Sequence, residues 1–384
     1  MKKILLIVHN LKYGGIQKIT VELARYYSSL GDDVHILCLE EGKDIEIDFD
    51  CSIHTIDIKN LFIKRPWLLV YYSIYKLLLK SVMRNCDVIF TRPIYEPLVK
   101  DVIFNIELNG KVDAIFVRGA RSIKRTWWLN RREVVTSFHL PYKIKKGSSF
   151  ISKYVYRKIA YRTLNNKNIF AVSKFIMAGI DHICDYHKVA PRKQNVVYNP
   201  VDVDRIRDMS KMPIKFEVND NYILGVGRLT RQKRFDLLIK AFSKSDIEGC
   251  NLVIIGEGNQ KESLAKLVQE LDISDKVIFA GFQGNPYPAF KNAKLFVLSS
   301  DTEGFGNVIL ESMACSTPVI STKCGPPEEF MLGELANGLV PVNDVDMLAN
   351  KIKEVYYSPI EINAEYLDDF SFDIISKEQL ELIY

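Results

Sequence analysis

Close cysteine pairs are absent from this sequence. Its seven cysteines fall at 38, 51, 86, 184, 250, 315 and 324, too scattered for a disulfide framework, and an odd set of this kind reads as reduced cytosolic thiols. Long apolar runs are missing as well. The most lipid-like stretch, WLLVYYSIYKLLLK at 67–80, is too short to cross a bilayer and contains Lys76. The opening MKKILLIVHN is basic, but its apolar run covers only Ile4 to Val8 and no small-residue cleavage site follows, so no secretory leader is expected. No His, Cys and Asp side chains stand at metal-ligand spacing, and no metal is expected. Internal repeats and low-complexity segments are also lacking. These absences exclude a disulfide-stapled mini-protein, a helical membrane span and a repeat array.

What remains is a globular composition, 47% hydrophobic and 26% charged over 384 residues, a length that calls for two cores. Charge divides along the chain. Residues 1–200 hold 33 lysines and arginines against 18 acidic residues, whereas residues 201–384 hold 19 against 29. A basic half suits an anionic partner such as nucleic acid, a phosphate group or an anionic membrane; the plain alternative is a solvated surface.

The hydrophobic pattern predicts α/β architecture. ILLIV at 4–8 is a continuous apolar run, as in a strand buried on both faces, and a loop and a helix over 16–30 separate it from a second strand, VHILCL at 34–39. Further buried strands are expected at 87–90, 114–117, 134–138 and 169–173, with basic, aromatic helices at 65–84 and 150–165. The polar, turn-rich stretch 199–221 reads as an interdomain linker. A second series follows, with strands at 222–227, 251–256, 276–282, 294–300 and 318–322 and helices at 235–244, 260–272 and 306–315. The expected result is two doubly wound, Rossmann-like domains facing a cleft, at 1–200 and 201–365, with a short amphipathic helix in 366–384 packing back on the first.

Several stretches point to chemistry. GVGRLTRQKRF at 225–235 joins a strand to a helix but carries Thr230 where a dinucleotide fingerprint needs glycine. Its Arg228 and Lys233 suit a diphosphate near a helix N-terminus, or are simply solvated cations. Gly14 and Gly15 precede the first helix, where backbone can approach a ligand, or form an ordinary turn. Gly304, Phe305, Gly306 and Asn307 can aim N–H groups at an anion. Asn307 and Glu311 share a helix face otherwise made of core residues. A carboxylate there needs donors: either a sugar's hydroxyls or a nearby Lys or Arg. His139 ends a strand of the first domain, where open α/β sheets bind ligands, or is a satisfied core histidine. Asp202/Asp204 and Asp344/Asp346 read as structural, as caps are. The segment 109–128 carries no assignable role.

The motifs VGRL…QK (226–233), VIIGEG (253–258), VIFAGF (277–282) and DTEGFGNVILESMACSTPVIS (301–321), in this order, resemble the retaining glycosyltransferases of family 4, of bacterial cell-envelope type, with the GT-B fold. GGIQKITVELA (14–24), FH (138–139), VSKF (172–175) and YNPVD (198–202) fit the same family, although Asn199-Pro200 stands where Asn-Gly is usual. The resemblance implies catalytic roles for His139, Arg228, Lys233 and Glu303. It implies donor contacts from Gly14, Gly15, Arg228, Lys233, Gly258, Phe282, Glu303, Gly304, Phe305, Gly306, Asn307 and Glu311. The implied donor is a UDP-sugar, with no metal or other cofactor. The implied acceptor is a membrane-associated glycan, lipid-linked or lipopolysaccharide, reached from an anionic membrane surface on the cytoplasmic face, with no nucleic-acid partner. A nucleotide-sugar epimerase and a non-catalytic anion or nucleic-acid binder are the rival classes.

Overall fold

The computed structural model describes residues 1–79, 87–142, 144 and 150–384. The chain divides into two compact units, Met1–Tyr198 with Phe372–Tyr384, and Asn199–Ser371.

The first unit is built on seven parallel strands: β1 (Lys3–Val8), β2 (Asp33–Cys38), β3 (Ser52–Thr55), β4 (Ala114–Arg118), β5 (Val134–Phe138), β6 (Asn168–Ala171) and β7 (Lys193–Val196). Their spatial order is 3-2-1-4-5-6-7. Sequence order therefore reverses between β1 and β4, the switch point of a doubly wound sheet. The inner strands are buried except for the first residues of β1 and β2, and their continuous apolar runs fill a core with Leu5, Ile7, Ile115, Val117 and Ile169. The helix Gly15–Ser29 buries Ile19, Leu23, Ala24 and Tyr27. The tail helix Phe372–Glu381 lies against it: the Tyr26 hydroxyl donates to Asp373 at 2.6 Å, and the Tyr26 and Phe372 rings stack at 5.3 Å.

The second unit carries six parallel strands: β8 (Tyr222–Val226), β9 (Asn251–Ile255), β10 (Val277–Gly281), β11 (Leu295–Leu298), β12 (Val319–Thr322) and β13 (Leu339–Val340), in the order 10-9-8-11-12-13. Its core joins Ile223, Leu252, Ile254, Leu295, Val297 and Ile320 to the helices Phe235–Ser245 and Val345–Tyr357.

Three differences from the sequence reading have physical causes. The run at 87–90 is a one-turn helix, Asp87–Phe90, rather than a strand. Four apolar residues fit a turn of helix as well as a strand, and Val88 packs against Ile159 of the helix Phe150–Leu164. The expected linker 199–221 belongs to the second unit and contains the helix Val203–Ser210. Asp202 caps it, accepting from the Arg205 N–H at 3.0 Å, and Ile206 is buried. Finally, β3, β7 and β13 are edge strands, and β3 and β7 are polar and mostly exposed, so no apolar run announced them. The helix expected over 65–84 is present as Pro66–Ile74 and a π-turn at Tyr75–Leu79, while residues 80–84 lie outside the described residues.

Candidate functional site

In the second unit, β8 leads into the turn that carries Arg228 and Lys233. The turn is stitched to the end of β9 and the loop after it by backbone bonds from Gly227 N to Ile255 O (3.0 Å), Leu229 N to Glu257 O (2.9 Å) and Gln260 N to Leu229 O (3.0 Å). Close approach makes glycine necessary there: a Cβ on Gly258 would sit 2.2 Å from the Leu229 carbonyl oxygen. Gly258 thus serves by shaping the turn that presents Arg228. Arg228 itself is exposed and has no ion-pair partner among the described residues.

A second set of bonds ties this turn to the loop after β11. The Gln232 amide donates to Thr302 O at 2.6 Å, Asp301 N donates to Gln232 O at 2.9 Å, and the Ser299 hydroxyl donates to Lys233 O at 2.9 Å. Arg234 reaches Asp301 at 2.9 Å and is held protonated by Asp236 and Asp301. The result places Lys233 Nζ 2.6 Å from Glu303 Oε1, and the Ser300 hydroxyl donates to the same oxygen at 2.5 Å. Both side chains are largely out of water, so the pair is a fixed polar element.

The loop continues through buried Gly304, Phe305 and Gly306. Phe305 is anchored by Phe330 (5.3 Å) and Phe370 (6.1 Å). Gly306 takes the left-handed conformation (φ 94°) and starts the helix Asn307–Ala314, where a side chain would be strained. On this helix Ile309, Leu310, Met313 and Ala314 are core, and Glu311 is buried with them. The first turn is fixed by Asn199, whose amide donates to Asn307 Oδ1 at 2.9 Å. Asn199 and Ser300 are contributors that sequence reasoning missed; for Asn199 the departure at Asn199-Pro200 was the available signal. Phe282 follows β10 and is 49% exposed.

Arg228, Lys233, Glu303, the 304–307 loop and Glu311 therefore all belong to loops or the helix at the carboxyl ends of β8 and β11, neighbours across the switch point of this sheet. Ligands bind open α/β sheets at that position. Chemically, it offers cations and helix-start N–H groups for a diphosphate and a carboxylate for hydroxyls.

In the first unit, His139 follows β5 and is buried, with the Ser137 hydroxyl 2.9 Å from its Nε2. Burial and then the nearby Arg118 charge hold it well below the usual histidine range, so it is neutral at pH 7. Arg118 pairs with Ser137 in the sheet and is fully buried, and its guanidinium has no hydrogen-bond partner among the described residues. Nothing in the sequence marked it. Gly14 precedes the helix Gly15–Ser29 with extended backbone (φ 175°) that does not itself require glycine, and Gly15 is exposed. Because the folded pKa of His139 is depressed, the unfolded chain takes up the proton first as pH falls. Stability is therefore expected to be level above about pH 6.5 and to decline below it. The urea midpoint should drop between pH 7.5 and 5, and less steeply in His139→Gln.

Comparison with known proteins agrees with this arrangement. Residues 13–205 match the family model described as Glycosyltransferase Family 4, and residues 207–369 match Glycosyl transferases group 1. Over 346 residues the chain is 28% identical to the N-acetylgalactosamine-N,N'-diacetylbacillosaminyl-diphospho-undecaprenol 4-alpha-N-acetylgalactosaminyltransferase of Campylobacter jejuni, covering 86% of this chain and 84% of that protein. It is 34% identical over 166 residues to the lipopolysaccharide core biosynthesis glycosyltransferase LpsE of Rhizobium meliloti, 43% of this chain and 48% of that one. Among solved structures, Anabaena Alr3699/HepE in complex with UDP and glucose matches with a TM-score of 0.72 at 19% identity over 99% of both chains. With two doubly wound parallel sheets and both halves matched, the chain belongs to glycosyltransferase family 4 and is a glycosyltransferase of the GT-B fold.

Proposed function

We propose that this enzyme moves a hexose or N-acetylhexosamine from a UDP-sugar to a hydroxyl of a membrane-associated glycan, a lipid-linked oligosaccharide or lipopolysaccharide, with retention and without a metal. The observation that carries the reading is the Lys233–Glu303 pair at 2.6 Å, its lysine on the same turn as exposed Arg228, which has no ion-pair partner among the described residues. The UDP complex of the Anabaena neighbour and the lipid-diphosphate acceptor in the Campylobacter relative's name support the choice of donor and acceptor.

In this reading Arg228, Lys233 and the start of the helix Asn307–Ala314 hold the diphosphate, Glu311 accepts from the ribose hydroxyls, and Glu303 with the 304–307 loop holds the sugar. The acceptor hydroxyl attacks the anomeric carbon on the face from which UDP leaves. The bond from that carbon to the phosphate oxygen breaks, the glycosidic bond forms, and the hydroxyl proton passes to the departing phosphate. Developing charge on UDP meets fixed cations that need not reorganise. In the same reading His139, neutral by burial, meets the acceptor hydroxyl without adding charge.

The test is a panel of UDP- and GDP-sugars incubated with and without a lipid-linked glycan acceptor, in EDTA. UDP release that needs acceptor, with the product's anomeric configuration unchanged, is the expected result. Epimerised sugar without acceptor contradicts it, as does activity that dies in chelator and returns with magnesium.

Among the described residues no helix is long and apolar enough to cross a membrane. A peripheral place on the inner face of the cell membrane is supported by exposed Trp67, Val70, Ile74, Leu77 and Leu78 on the helical stretch 66–79, preceded by Lys64 and Arg65. Flotation with phosphatidylglycerol vesicles at low salt should carry the protein up, weakening as salt rises. Absence of binding at low salt overturns this placement.

A further inference from the structure

The segment 109–128, unassigned by sequence, supplies β4, Gly119 and the helix Ala120–Thr126 at the switch point of the first sheet. Arg121 and Arg125 are four apart on that helix and share a face. Both converge on His9, the residue after β1: Arg121 Nη1 lies 3.0 Å from His9 Nε2, and Arg125 Nη1 lies 2.8 Å from Nδ1. Glu40, just beyond β2, is 3.1 Å from His9 Nε2 and also pairs with Arg125.

This cluster is electrostatically incomplete. Burial, reinforced by Arg125, pulls His9 down to about 4, so the ring is neutral at pH 7. A neutral imidazole offers one acceptor nitrogen and one N–H. With Nδ1 accepting from Arg125 and Nε2–H donating to Glu40, Arg121 is left facing an N–H. The single carboxylate of Glu40 then pairs with Arg125, while Arg121 is exposed to solvent and has no ion-pair partner among the described residues. An excess cation at the carboxyl edge of a parallel sheet, where its order reverses, is where a ligand's anion is received. Two guanidinium forks on one ring's two edges suit the several oxygens of a diphosphate better than a single carboxylate does.

We propose that His9, Arg121 and Arg125 form a seat for a phosphate or diphosphate ester of the acceptor, gated by Glu40, which occupies it when no ligand is bound. This rests on the transferase reading above, since it assigns the anion to the acceptor rather than the donor. The donor's own cations, Arg228 and Lys233, belong to the other unit.

The experiment is calorimetric titration of farnesyl diphosphate into the full chain saturated with UDP. Arg121→Ala should weaken binding about 10-fold, Arg121→Lys less, and Glu40→Gln should tighten it several-fold, because a competing carboxylate is removed. A purely structural ion cluster would not give that opposite response. UDP affinity should be unchanged in Arg121→Ala. Equal farnesyl diphosphate affinity in wild type, Arg121→Ala and Glu40→Gln overturns the seat. A parallel loss of UDP affinity in Arg121→Ala also overturns it, because the site would then serve the donor. In flotation, Arg121→Ala should bind phosphatidylglycerol vesicles as wild type does; loss there with unchanged farnesyl diphosphate binding would make the cluster a lipid-headgroup contact and overturn the proposal. If UDP fails to bind wild-type protein at all, it is the transferase reading's UDP donor that fails.

Discussion

Arg228→Ala is expected to lower kcat by about 10²–10³-fold, the usual effect of removing one preorganised group from the charge developing in a transition state. The same variant should keep its unfolding free energy within about 0.5 kcal/mol of wild type, as surface substitutions away from special features do. The separation follows from the structure. Arg228 is exposed and has no ion-pair partner among the described residues, whereas the turn beneath it is held by backbone bonds to Ile255, Glu257 and Gln260 that the side chain does not make. Removing the guanidinium leaves that frame intact. Arg228→Lys should recover part of the rate, because charge is restored without the fork. Steady-state kinetics with urea unfolding in parallel checks this: a variant with wild-type kcat contradicts a role in leaving-group stabilisation.

Glu311→Ala is expected to raise the dissociation constant for UDP by about 10²-fold, because a carboxylate accepting from two hydroxyls loses two charged hydrogen bonds of about 1.5–3 kcal/mol each, offset in part by water. Glu311→Gln should lose less. The effect should fall on nucleosides carrying ribose hydroxyls and vanish for 2′,3′-dideoxy-UDP. That contrast distinguishes contact with the sugar from general damage to the helix, which matters because Glu311 lies among Ile309, Leu310 and Met313 in the core. Equal losses for UDP and its dideoxy analogue would place the ribose elsewhere.

Much of this was legible in the sequence. The buried parallel strands announced themselves as apolar runs: all of β1 except its first residue is buried, as is all of β5, and both were expected nearly to the residue. The local structure of 301–321 was legible: glycines at 304 and 306 marked the turn, and Glu311 was expected on a helix of core residues, where it lies. What escaped notice was set by tertiary context. Ser52–Thr55 and Lys193–Val196 are strands only because an inner strand offers them an edge. Asp87–Phe90 has a strand's composition and a helix's neighbours. The Arg121, Arg125, His9 and Glu40 cluster joins residues up to 116 positions apart, and only the sheet order brings them together. Asn199 likewise acts through Asn307, 108 residues away.

Electrostatics divides between the two units in a way the net charge alone conceals. The second unit fixes two of the cations after β8, Lys233 on Glu303 and Arg234 on Asp236 and Asp301, whereas Arg228 is exposed with no ion-pair partner among the described residues. The first unit buries Arg118, whose guanidinium has no hydrogen-bond partner among the described residues, and keeps His139 neutral. A histidine poised in this way can accept a hydrogen bond from a hydroxyl, or donate one, without changing the charge of the site.

The central claim is that the carboxyl ends of β8 and β11 hold an activated sugar nucleotide through Arg228, Lys233 and Glu311. A crystal structure with a bound UDP-sugar tests it most directly. The account predicts diphosphate density at Arg228, Lys233 and the N-terminus of the helix Asn307–Ala314, with the ribose hydroxyls on Glu311. Density that places the nucleotide away from these residues would contradict it.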